Sequence, residues 1–119
     1  MHTDEIVKLT HQVIADVIRR RHGETEPYRG HERRRSPRWP FPGTVEVHVE
    51  GCTDPVFGTC CNLSETGLGM CAEKYLEVDS IVDLAVHVPE ISFYGKGIVR
   101  YCSQTPRGYM TGVEFIFDD

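Results

Sequence analysis

The stretch Gly43-Thr44-Val45-Glu46-Val47-His48-Val49-Glu50 decides how this chain folds. Val45, Val47 and Val49 fall on one side and Thr44, Glu46, His48 and Glu50 on the other, the period-two alternation of a half-buried strand. Further along, similar short runs occupy 56–61, 67–73, 81–88, 92–102 and 109–117, separated by polar or glycine turns such as GCTDP and SQTPRG. Six short strands with no helical segment between them predict an antiparallel sandwich or a small closed barrel.

Upstream the texture changes twice. Residues 23–43, GETEPYRGHERRRSPRWPFPG, hold four prolines and three glycines with almost no apolar periodicity, so they read as a linker or wrapping arm. Before it, Ile6, Leu9, Val13 and Val17 recur at spacings of three and four, with Val7, Ile14 and Ile18 widening the stripe, which predicts a helix over 3–21. Thr3 or Asp4 would cap it, Arg19, Arg20 and Arg21 suit the negative end of its dipole, and Gly23 supplies the stop. Such a stripe either folds back on the barrel or pairs with a second copy or a partner protein. The chain thus divides into an amphipathic helix (1–22), an Arg/Pro-rich linker (23–42) and a β-domain (43–119).

At 119 residues, 39 % of them hydrophobic and 26 % charged, there is room for one compact core and not for a separate catalytic domain. No run approaches the roughly 18 apolar residues of a membrane helix, and acids stand near the N-terminus where a secretory signal would be basic, so a cytoplasmic protein is expected. Five cysteines, two of them adjacent, argue against a disulfide framework, and neither they nor the six scattered histidines have zinc-site spacing. Buried free thiols are the reading, with no metal. The net charge of −5 conceals an asymmetry: eight arginines against three glutamates make residues 19–38 strongly positive, while residues 39–119 carry −8. Arginine without lysine favours forked, planar recognition of an anion; a solvated tether is the plain alternative.

Two clusters carry candidate chemistry. In Arg33-Arg34-Arg35-Ser36-Pro37-Arg38, Pro37 lacks an amide donor and forces Ser36 out of helical geometry. If extended, alternation puts Arg34 and Arg38 on one side, about 13 Å apart, able to grip opposite parts of a medium-sized anion. The second cluster, Asn62-Leu63-Ser64-Glu65-Thr66-Gly67, joins two predicted strands with polar side chains and a glycine that permits positive φ or close backbone approach. Alone, it is equally an ordinary hairpin turn.

The R-x-x-x-R arm, the N-x-S-x-x-G turn about 25 residues later and the closing strand Gly112-Val113-Glu114-Phe115 together resemble the PilZ family over roughly residues 31–117. That resemblance implies a six-stranded antiparallel β-barrel that binds the bacterial second messenger cyclic di-GMP as ligand, with no cofactor. It places Arg34, Arg38, Asn62, Ser64 and Gly67 at the site, the arginines on phosphates and guanine edges and the turn on the ligand's other side. Arg33 stands where family members differ in taking one ligand molecule or a stacked pair, and an arginine inclines to the pair. Trp39, where the family commonly has a small aliphatic residue, either plugs the core or covers a guanine; the former is the commoner fate of a tryptophan beside a strand.

The chemistry of the ligand fits independently, since guanidinium groups match two phosphates and can read guanine O6 and N7 bidentately. A single-stranded nucleic-acid binder is the alternative, opposed by the −8 of the β-domain. Catalysis is not expected: Ser64 lacks the G-x-S-x-G elbow, and pairs such as Glu73 and Glu77, or Asp118 and Asp119, read as solvated surface. A binding domain without a catalytic partner acts by changing shape or contacts, hence the expectation of an adaptor working on a protein effector or through self-association by its helix.

Overall fold

A computed structural model describes residues 5–22 and 38–119. The elements in chain order are β1 (Ile6–Lys8), α1 (His11–His22), β2 (Trp39–Val49), β3 (Val56–Leu63), β4 (Gly67–Ala72), β5 (Ile81–Val88), β6 (Ile91–Thr105) and β7 (Gly108–Ile116). Strands β2 to β7 pair antiparallel in the order β6-β5-β2-β3-β4-β7, and β7 returns to β6, so the sheet closes into a six-stranded barrel, not a sandwich. Closure pairs the strands on both sides except at the start of β6, and the strands turn alternate residues inward. Phe41, Val45, Val47, Leu63, Met70, Val86, Phe93 and Val99 fill the interior, each essentially solvent-free.

Two boundaries differ from those expected. The barrel's first strand starts at Trp39, not after Gly43, even though Pro40 and Pro42 lie in it. Both prolines are exposed and precede Thr44, where pairing with β5 begins; a register shift between Pro40 and Gly43 interrupts pairing with β3, so the missing N–H groups break no ladder. The helix expected over 3–21 is shorter. Thr10 caps it, its Oγ1 accepting from the Val13 amide at 3.1 Å. Ile6–Lys8 instead forms a strand parallel to Ser92–Tyr94 of β6, filling the edge that β7 leaves bare because β7 pairs with β6 only from Lys96 onward. An open sheet edge and two β-branched residues override helical spacing here.

Helix α1 lies across one end of the barrel. Ile14, Val17 and Ile18 are buried in the same cluster as the barrel core, together with Leu9 just before the helix. Each such side chain contributes on the order of 1.5–3 kcal/mol on burial. At its start, the Asp119 carboxylate accepts from the His11 amide at 3.2 Å, and the His11 ring stacks on Phe117 at 3.7 Å. At its end, Arg21 meets Glu90 in the β5–β6 turn through two bonds of 2.8 and 3.1 Å, and His22 packs on Trp39 with ring centroids 4.5 Å apart. The apolar stripe is therefore spent inside the molecule, the fold-back alternative of the two.

Candidate functional site

The turn between β3 and β4 is built by Ser64. Its Oγ accepts from the amides of Thr66 (3.2 Å) and Gly67 (3.1 Å), while its own amide donates to the Gly67 carbonyl at 2.8 Å. Ser64 is 5 % exposed, so the first task of its hydroxyl is to hold the turn's shape. Gly67 has no positive φ; what it supplies is close approach, because a Cβ there would run into the Val113 carbonyl oxygen of β7. Of the two reasons for a glycine at this position, the second applies.

Beside this turn runs an open groove of about 460 Å³, within the size range of small-molecule sites. Arg38 stands over one side with an exposed side chain whose Nη1 lies 3.5 Å from the Tyr101 hydroxyl. The turn residues Ser64, Thr66 and Gly67 form a second side, and Arg100, Tyr101 and Glu114 a third. A roomier cavity of about 600 Å³ at the opposite barrel end, around Asp54, Lys74 and Glu77, contains no residue of either motif.

The groove thus brings together Arg38, Ser64 and Gly67, three of the six residues expected at the site. Asn62 lies beside it without lining it: its amide rests across the Gly69 backbone, where a Cβ would be 2.8 Å from Oδ1. That Oδ1 is buried and has no hydrogen-bond partner among the described residues. Arg33 and Arg34, with Ser36 and Pro37, fall outside the described residues. Trp39 is not among the residues that line the groove; it is half-buried against the core beside His22, the packing of a core plug.

Arg100, Tyr101 and Glu114 line the groove and were not singled out by the two sequence motifs. A bulge between Val99 and Tyr101 lets two consecutive side chains of β6 line the same groove, which strict alternation forbids. Glu114 arrives because β7 sets it in register with Gly67 of β4. Only the family-like strand GVEF pointed toward that neighbourhood.

The thiols are less uniform than expected. All five are free, but Cys52 is exposed and only Cys60 is fully buried. Burial, aided by the adjacent Cys61, pushes the Cys60 thiol up to about 12, so it carries no thiolate at neutral pH. Among the described residues, no group of three or more His, Cys, Asp or Glu is arranged to hold a metal ion, and no helix is long and apolar enough to cross a membrane.

Comparison with known proteins adds a fold and a family. No curated protein sequence matches the chain. A solved structure of the Bacillus subtilis inhibitor of motility, MotI/DgrA, superposes with a TM-score of 0.57 at 16 % identity, covering 75 % of this chain and 47 % of that one. The chain therefore spans less than half the length of that protein, and the likeness is one of fold. The family profile described as "PilZ domain" matches residues 32–119, the whole barrel together with the arm residues just before it. On that match, with the barrel closed and Arg38 meeting the Ser64–Gly67 turn at one groove, the chain belongs to the PilZ domain family, a family that binds cyclic di-GMP.

Proposed function

We propose that this chain binds cyclic di-GMP in the groove beside the Ser64–Gly67 turn and passes the signal to a protein partner, acting in the cytoplasm as an adaptor and not as an enzyme. The observation that carries the reading is the convergence of Arg38 with that turn, from two segments some 25 residues apart, on one groove of suitable size. Arg34 and Arg33 complete the arm, Asn62 packs on the Gly69 backbone beside the groove, and Gly67 keeps the turn tight against β7. Charge-assisted hydrogen bonds from the arginines contribute roughly 1.5–3 kcal/mol each. Ser64 is bonded within its own turn, which fits a binding surface better than a nucleophile.

The relay begins at Arg38 and continues through its neighbour Trp39, whose ring carries His22 at the end of α1. A ligand that draws Arg38 toward the turn acts on the first residue of β2 and so on the seat of the helix. Because the buried stripe of α1 is occupied, a partner would meet the outer face of the helix or the barrel, not Ile14, Val17 and Ile18.

Isothermal titration with cyclic di-GMP tests ligand and stoichiometry together. Saturable binding, with one or two molecules per chain, is expected for the wild type and not for an Arg34→Ala, Arg38→Ala double variant. Binding to single-stranded oligonucleotide, steep in salt and indifferent to cyclic di-GMP, would replace this reading with the nucleic-acid one.

A further inference from the structure

Arg100 and Glu114 line the groove and belong to neither motif. The Arg100 Nη2 donates to Glu114 Oε2 at 2.6 Å, and Nη1 lies 3.9 Å from Asp79 Oδ1. Asp79 is the one non-glycine residue with positive φ (74°) among the described residues, just before β5. The guanidinium is thus held between two carboxylates. Its charge is already matched, which makes it a poor grip for a phosphate, and Glu114 would repel one. Both side chains of the pair are nevertheless about half exposed, 51 % and 50 %, and can contact a ligand without leaving the groove.

What such a pair offers is direction, with N–H donors beside a carboxylate acceptor. Guanine presents the matching pattern, acceptors at O6 and N7 and adjacent donors at N1 and the exocyclic N2. Adenine carries an amino group where guanine has O6 and no proton on N1, so both halves of the match fail. The pair also stands in the right place. Glu114 is in register with Gly67, the glycine of the turn motif, and Tyr101 next to Arg100 reaches to within 3.5 Å of Arg38.

We infer that Arg100 and Glu114 form a base-reading subsite, Glu114 accepting from N1–H and N2–H of one guanine and Arg100 donating to its O6 and N7. This rests on the cyclic di-GMP reading and adds the source of its selectivity: Arg38 and the arm hold the anion, while the Arg100–Glu114 pair rejects adenine. An unpaired polar group facing the wrong base is the usual cause of such discrimination.

The experiment titrates the wild type, Glu114→Gln, Arg100→Ala and Arg38→Ala with cyclic di-GMP, cyclic di-AMP and inorganic pyrophosphate, with thermal melts to confirm folding. Glu114→Gln keeps the shape of the side chain and replaces one acceptor with a donor, so cyclic di-GMP affinity is expected to fall about tenfold or more while cyclic di-AMP is unaffected. Arg100→Ala should also narrow the gap between the two dinucleotides, whereas Arg38→Ala weakens both. If Glu114→Gln tightens all three anions, Glu114 is a repulsive guard and the base-reading role is overturned. Wild-type selectivity in both pair variants, with Arg38→Ala still defective, overturns it too and leaves the receptor standing; no cyclic di-GMP binding by the wild type removes both.

Discussion

Arg38 is exposed, and its one hydrogen bond among the described residues is the long one to Tyr101, so Arg38→Ala should unfold nothing and lose binding. A stability change within about 0.5 kcal/mol, with affinity reduced tenfold or more, is expected from urea melts and calorimetry on the same sample. Ser64 behaves differently. Ser64→Ala strips a buried hydroxyl that accepts from two backbone amides of the turn, so the cost should fall on stability first, about 1–3 kcal/mol, and on affinity through the turn's altered shape. Gly67→Val should be worse, since its Cβ has the Val113 carbonyl in its path; equal and negligible effects of both changes would mark an ordinary surface hairpin. These three residues were legible in the sequence because each motif is contiguous and carries its own local logic. Arg100, Tyr101 and Glu114 were not, because their place in the groove depends on how β6 and β7 close the barrel and on a bulge that no alternation pattern reveals.

At the scale of elements, the N-terminal segment is where sequence periodicity and structure part. Ile6 was counted with the helical stripe but sits in β1 with 42 % of its surface exposed, whereas Ile14 in α1 is 1 % exposed. Ile14→Ala should therefore cost about 2–4 kcal/mol in urea unfolding and Ile6→Ala well under 1; equal costs would restore the longer helix. The start of α1 carries a pH dependence. Burial tends to raise the Asp119 carboxyl, but the His11 amide and ring outweigh this and hold it below its ordinary 3.8. A depressed folded-state value means the cap's contribution is complete above the unfolded value and is lost as pH falls through the lower one. Acidification below about pH 4 should thus raise amide exchange at the start of α1, and Asp119→Asn should remove that dependence. The barrel strands were legible because alternation is strong in each; the capping role of Asp119 was not, since it joins the last residue of the chain to the eleventh.

The whole molecule places its candidate groove and its helix at the same barrel end, with Trp39 on β2 between them. A wholesale movement of α1 would expose Ile14, Val17 and Ile18, and a ligand can supply only as much shift as its differential affinity for the two arrangements. A pivot would be less demanding: the Asp119 contact would keep the start of the helix in place while the Arg21–Glu90 and His22–Trp39 contacts at its end were exchanged. On the proposed relay the driving force would come from the sequence of the arm, whose Arg29, Arg33, Arg34, Arg35 and Arg38 carry like charge that two phosphates would offset. Limited trypsin digestion reads this directly, because the protease cuts after arginine. Saturating cyclic di-GMP should slow cleavage between Arg29 and Arg38, and hydrogen exchange should change at residues 19–22 while 11–15 stay as they were. Unchanged cleavage under saturation would mean the arm is not the switch. Protection spreading evenly over 11–22 would replace the pivot with a rigid clamp, and the signal would then have to leave through the barrel surface.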